Sequence, residues 1–378
     1  MYGLYIHVPF CASRCAYCDF YSTTLGTDVR RLYVTALCAE IGARRTETAG
    51  STLHTIYIGG GTPSQLTTDE LAQIVDAVRS CHDTTTVAET TIEANPDDVT
   101  PRWAEAVRSL GFDRVSLGVQ TFDDRLLHFL SRRHTAQQAR DAVTTLHAAG
   151  FTNLSIDLIY GLPGQTAESW RQDLATAFSL PVEHLSAYSL MFESGTRLTD
   201  MRDKGLVSEA DEELSLNMFR ALEEAAEEAG FEHYEISNFA RSGRRSLHNT
   251  SYWDGTPYVG FGPAAHSFDG TSRRWNASDV AAYAARPGEP PHETELLTLH
   301  DRYDEYVMTR LRTSDGLLPA EIKRRFGSAF ADHFRQTAAP HMQAGRLVPV
   351  AGGGLRLSRE ALFVSDAVMS DLMWPGET

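Results

Sequence analysis

Cys11, Cys15 and Cys18 fall within eight residues in the pattern C-x3-C-x2-C, directly after a short apolar run, Leu4–Phe10. Thiols this close cannot act as a disulfide framework, and they are one short of a four-cysteine ligand set. A [4Fe-4S] cluster held by three cysteines keeps one iron open, and an open iron binds a small molecule and does chemistry on it. The competing reading is a zinc ion with a fourth ligand from elsewhere, such as His7. Structural zinc sites usually bring their ligands in two pairs, and no second Cys/His pair lies at a matching distance. Phe10, Tyr17 and Phe20 surround the cysteines, and aromatic packing of that kind limits solvent and tunes a cluster's potential.

Further candidates recur just after predicted strands. Gly59-Gly60-Gly61-Thr62-Pro63-Ser64 lets the backbone approach a ligand, and Thr62 adds a hydroxyl; its spacing matches neither the dinucleotide fingerprint nor the P-loop. Glu93 ends a strand, where a carboxylate is expensive to bury without a partner. Gln120 closes another strand, Asp157 lies within the next, and the planar fork of Arg132 suits a carboxylate. Gly161, in Tyr160-Gly161-Leu162-Pro163-Gly164, makes a sharp turn that could also approach a ligand. His248-Asn249-Thr250-Ser251-Tyr252-Trp253 is the second informative stretch, because imidazole commonly ligates heme iron and aromatics suit a porphyrin face. The bland alternative for His248 is a loop-bracing role; His266 is a weaker candidate of the same kind.

The elements that must position these residues alternate. Strands are predicted at Leu4–Phe10, 55–58, Glu89–Ala94, Arg114–Gln120, Asn153–Ile159 and His184–Leu190. Helices are predicted at about 28–46, 67–80, 102–109, 136–149, 168–178 and 209–230. Six strand–helix repeats imply a parallel α/β sheet with functional residues at the carboxyl ends of its strands. Six are too few for a closed eight-stranded barrel, so the expected core is a partial, TIM-like (β/α)6 barrel over residues 1–240. A connecting segment, 241–295, carries the His248–Trp253 stretch. Residues 296–378 read as helices followed by a β-hairpin, a small winged-helix-like α+β domain.

The chain has 378 residues, 42% hydrophobic and 22% charged, with a net charge of −16. That charge gives a nucleic-acid partner no global support, and the basic run Arg241–Arg245 is a local patch. No stretch approaches the roughly 20 apolar residues of a membrane span, and the first residues show no signal-peptide pattern. Clustered cysteines suit a reducing compartment, so a soluble cytoplasmic protein is expected. Cys38 and Cys81 read as packing residues.

The segment Tyr5-Ile6-His7-Val8-Pro9-Phe10-Cys11-Ala12-Ser13-Arg14-Cys15-Ala16-Tyr17-Cys18 resembles the signature of the radical S-adenosylmethionine (SAM) superfamily. Within it, the chain is similar to the group that joins oxygen-independent coproporphyrinogen III dehydrogenase to the HemW-type heme chaperones. The resemblance implies a radical SAM barrel, a [4Fe-4S] cluster on Cys11, Cys15 and Cys18, and SAM chelated at the open iron for one-electron cleavage of its sulfonium. It implies that Gly60, Gly61 and Thr62 meet the amino group of SAM, and that Glu93, Gln120, Arg132 and Asp157 also contact it. Tyr5 and Tyr17 would pack beside the cofactors, and His248 would ligate heme.

Two features favour the chaperone branch. The enzyme carries a fourth cysteine two residues after the third, where this chain has Phe20, and a long segment before its cluster, where this chain has ten residues. A chaperone would bind heme and deliver it to acceptor hemoproteins, take electrons from a flavodoxin or ferredoxin, and could form a homodimer. The alternatives are coproporphyrinogen III decarboxylation in porphyrin biosynthesis, and radical chemistry on another substrate.

Overall fold

The computed structural model describes residues 1–375. Six parallel strands lie side by side in chain order: β1 (Tyr2–Val8), β2 (Leu53–Gly60), β3 (Glu89–Ala94), β4 (Arg114–Gln120), β5 (Asn153–Tyr160) and β6 (His184–Ser189). Helices Thr27–Ala43, Thr68–Cys81, Pro101–Ser109, Ala136–Ala148 and Ala167–Ser179 fall between successive strands, as the alternation predicts. Thr67, Thr135 and Thr166 each close a capping box, which fixes where three of these helices begin.

Alternation along the strands separates two faces. On β4, Val115, Leu117 and Val119 are fully buried in the main hydrophobic core, and on β5 Leu154, Ile156 and Leu158 are too. The residues between them, Arg114, Ser116, Gly118 and Gln120 on β4 and Ser155 and Asp157 on β5, share the other face. That face is polar, so the sheet presents hydrogen-bonding groups to its interior rather than to the helices.

The sheet extends beyond the expected barrel. β7 (Glu232–Glu235) and β8 (Asn238–Ala240) form a hairpin whose second strand pairs antiparallel with β6. β9 (Tyr258–Phe261) pairs parallel with β1, and β10 (His266–Phe268), β11 (Ser272–Asn276) and β12 (His292–Leu296) follow antiparallel. The full sheet has twelve strands in the order β12-β11-β10-β9-β1-β2-β3-β4-β5-β6-β8-β7. Residues 241–295 are therefore not a plain connector, because four strands of the main sheet come from them. Buried Glu40 ties this extension to the first helix, accepting from Arg44, Asn276, Tyr283 and the Gly262 amide.

The C-terminal region has a core of its own, with Tyr303, Phe326, Phe330 and Phe334 packed under Leu347, Leu355 and Val368. Helices Leu299–Leu311, Pro319–Phe326 and Ser328–Gln343 precede the hairpin β13 (Leu347–Val350) and β14 (Gly354–Leu357). After the hairpin come a 3-10 segment, Arg359–Val364, and a helix, Ser365–Leu372. The last residues of the expected domain, 376–378, lie outside the described residues.

Candidate functional site

The cysteine loop leaves the carboxyl end of β1. It is pinned from three directions: Cys11 N–H donates to Thr23 O (2.9 Å), Ala16 N–H to Leu130 O (3.1 Å) and Leu198 N–H to Ala16 O (2.8 Å). All three thiols are partly accessible and unbridged. Thr62 Oγ1 donates to Cys11 Sγ (3.2 Å), and Arg132 Nη1 to Cys15 Sγ (3.4 Å). Burial pushes the Cys11 thiol up and the Cys18 thiol up to about 11.

Backbone proximity explains the glycines. Gly60 has φ +107°, and a Cβ there would stand 2.6 Å from the His7 ring. A Cβ on Gly61 would lie 2.9 Å from the Pro9 carbonyl carbon and 3.1 Å from Cys11 Sγ. Only glycine lets the end of β2 run this close under the cysteine loop. Glu93 at the end of β3 accepts from the Tyr57 hydroxyl (2.7 Å) and the Gly60 amide (3.0 Å). Burial nevertheless raises its carboxyl to about 7, more than these two donors lower it.

On the next strands, Gln120 is held at φ +71°, beside a register shift between Gly118 and Gln120. A non-glycine residue in that region is strained, and such strain concentrates at functional positions. Arg132 Nη2 donates to Asn95 Oδ1 (2.7 Å) and to Gly118 O, while its buried Nε has no partner among the described residues. Asp157 accepts from Ser116 Oγ (3.3 Å), and burial raises its carboxyl.

These residues line one cavity of about 470 Å³. Cys11, Cys15, Cys18, Tyr17, Gly60, Gly61, Thr62, Glu93, Gln120, Arg132 and Asp157, all expected from sequence, are on its wall. The wall also includes Asn95, Ser116, Gly118, Tyr188, Met191 and Glu193, which sequence reasoning did not single out. Ser116 and Gly118 were findable, since they share the inward parity of Gln120 on β4. Phe20 and Met191, 64% and 66% exposed, stand at the mouth.

Four candidate residues are elsewhere. Tyr5 does not line the cavity; its hydroxyl meets His7 Nδ1 (3.1 Å) and its ring lies beside Tyr57 and His248. His248 is fully buried within the helix Leu247–Asp254. Its Nδ1 is 2.8 Å from the Thr55 hydroxyl and its Nε2 is 2.9 Å from the Tyr252 hydroxyl. With both nitrogens engaged, it cannot ligate heme iron in this conformation. His266 is exposed and stacks on Trp275. Gly161 also lies outside this cavity's wall.

Residues 5–177 match the radical SAM superfamily, and residues 297–364 match the HemN C-terminal domain. Coproporphyrinogen III oxidase (HemN) from Escherichia coli superposes with a TM-score of 0.83, covering 98% of this chain and 89% of that one, at 22% identity. That likeness shows a common fold. A protein of Mycobacterium tuberculosis (strain CDC 1551 / Oshkosh) named heme chaperone HemW is 35% identical, over 98% of this chain and 95% of that relative. The chain belongs to the HemW family. A HemW of Bacillus subtilis (strain 168) is 34% identical, over 86% of this chain and 87% of that relative.

For this HemW-family chain the radical SAM match implies a [4Fe-4S] cluster and SAM, and the wall of the cavity fits both. Three soft sulfur donors face one space, which suits iron–sulfur chemistry. His7, the proposed zinc ligand, is spent on Tyr5 and, through Nε2, on Tyr21 O (3.0 Å). Beside the thiols lie carboxylates, a guanidinium with a free Nε and a glycine-lined backbone, which match a zwitterionic, ribose-bearing molecule. Cys11, Cys15 and Cys18 would hold the cluster, and Gly60–Thr62, Glu93, Gln120, Arg132 and Asp157 would hold SAM. When bound, the cluster would supply one electron to the sulfonium of SAM.

Proposed function

We propose that this protein is a radical SAM heme chaperone: it binds heme and hands it to acceptor hemoproteins, and it does not decarboxylate coproporphyrinogen III. The observation that carries this reading is its near full-length likeness to relatives named heme chaperone HemW. Phe20 supports it, because the residue at the cavity mouth in the position of the enzyme's fourth cysteine offers no sulfur. The protein's residues bind and orient: Glu93 and Asp157 accept from donor groups of SAM, Arg132 meets its carboxylate, and Tyr17 shields the thiols. The chaperone acts in the cytoplasm, where clustered thiols stay reduced, and no described helix is long and apolar enough to cross a membrane. A flavodoxin- or ferredoxin-like donor supplies its electrons, and a homodimer is its working form.

The deciding experiment incubates cluster-reconstituted protein anaerobically with SAM, reductant and coproporphyrinogen III, beside a heme titration. Stoichiometric heme binding and transfer to an apo-hemoprotein, with no vinyl-porphyrin product, is expected. Conversion to a divinyl porphyrin would mean that the protein is an enzyme of heme synthesis instead.

A further inference from the structure

We propose that His248 and Tyr57 are positioning residues for the Glu93 carboxylate, and that helix Leu247–Asp254 links this carboxylate to the C-terminal domain. The proposal deepens the SAM-site reading and rests on it. It also gives the His248–Trp253 stretch a task other than iron ligation.

The chain of contact is continuous. The imidazole of His248 stacks on the Tyr57 ring, with centroids 5.0 Å apart and planes at 27°. Tyr57 in turn donates its hydroxyl to Glu93 Oε1 at 2.7 Å. The imidazole is held by Thr55 on one side and Tyr252 on the other, so its plane is fixed. A fixed plane restricts the tyrosine ring lying on it, and therefore the direction of the hydroxyl.

Two glycines make room for this arrangement. A Cβ on Gly3 would stand 3.2 Å from the His248 ring, and one on Gly59 would stand 2.7 Å from Tyr57 Cε1 and 2.8 Å from Glu93 Oε1. Side chains at either position would displace the stack or the carboxylate.

The same helix is anchored at both ends. The amides of Leu247 and His248 donate to the Glu89 carboxylate (3.1 and 3.0 Å), which suits an anion at a helix N-terminus. Near its other end, the Arg312 guanidinium lies 4.9 Å over the Trp253 ring. Arg312 follows the C-terminal domain's first helix and also pairs with Glu235 at 2.6 Å. Arg312 thus joins the end of the C-terminal domain's first helix to the helix that carries His248. The other charged groups that face Glu93 are Asp157 on β5 and Arg114 on β4.

The test uses full-length, cluster-reconstituted protein and three variants, Tyr57→Phe, His248→Ala and His248→Phe. Iron per chain, heme affinity and calorimetric SAM affinity are measured for each, the last across pH 6–8. Tyr57→Phe removes only the hydroxyl. It is expected to weaken SAM binding about tenfold, the worth of one hydrogen bond to a charged group, and to move the pH midpoint of binding upward. His248→Ala is expected to weaken SAM binding while iron and heme binding persist, and His248→Phe, which keeps a ring on Tyr57, to recover most of the loss. SAM affinity unchanged in Tyr57→Phe and His248→Ala at full iron loading would overturn the proposal. So would loss of iron in Tyr57→Phe, or selective loss of heme binding in His248→Ala. Wild-type protein that holds iron but binds no SAM would sink the underlying site reading as well.

Discussion

Lowering the pH through neutrality should weaken SAM binding, because the Glu93 carboxyl takes up its proton in that range. Burial lifts its carboxyl from 4.5 to about 7, while Tyr57 and the Gly60 amide favour the ionised form without offsetting that effect. With a midpoint near 7, about a tenth of the carboxyls are ionised at pH 6 and about nine-tenths at pH 8. If only the ionised form accepts from SAM, the apparent Kd falls roughly tenfold between those values. The same group makes the SAM-free protein less stable as pH rises. A carboxyl whose folded pKa is raised stabilises fully below its unfolded value, and that contribution is lost as pH climbs from about 4.5 through about 7. The gap corresponds to at most about 3 kcal/mol. Calorimetry at pH 6, 7 and 8 on cluster-loaded protein measures the first effect, with Glu93→Gln as the control. The SAM amino group also titrates near 8, so the diagnostic quantity is the slope that disappears in the variant. Equal slopes in wild type and Glu93→Gln would refute the reasoning.

Three other outcomes follow from the same geometry. Changing Cys11, Cys15 or Cys18 singly to Ala should abolish iron loading, measured as iron per chain after anaerobic reconstitution; full iron in any one variant would remove that cysteine from the ligand set. Gly60→Ala forces a side chain into positive φ against His7, and should cost about 2 kcal/mol in urea unfolding and weaken SAM binding. Arg312→Ala leaves buried Glu235 without its cation and should destabilise by about 2 kcal/mol; a loss below about 0.5 kcal/mol would show that Ser237 N–H and Asn238 satisfy the carboxylate alone.

The site was more legible in the sequence than the sheet. Cys11, Gly60, Glu93 and Gln120 all fall at or just beyond strand ends, and the periodicity that marks a parallel strand also marks where its functional residue must lie. β9 through β12 escaped because their strands are three to five residues long and one pairs with a strand over 250 positions earlier. Local pattern does not encode such pairing. His248 misled for a related reason. An imidazole among aromatics has the same composition whether it faces a porphyrin or is packed in a protein interior, and only the Thr55 and Tyr252 partners, 193 positions away and 4 positions away, distinguish the two.

The pairing of β9 with β1 has a consequence for biogenesis. The strand that carries the cysteine loop is interior to the sheet, and one of its neighbours is Tyr258–Phe261. At roughly 5–20 residues per second, translation needs about 12–50 s to travel from the loop to that neighbour. During that interval the nascent chain bears three thiols on a half-paired strand. Iron delivery should therefore follow release of most of the chain from the ribosome, and cells short of cluster-assembly capacity should accumulate a full-length, metal-free form rather than truncated intermediates.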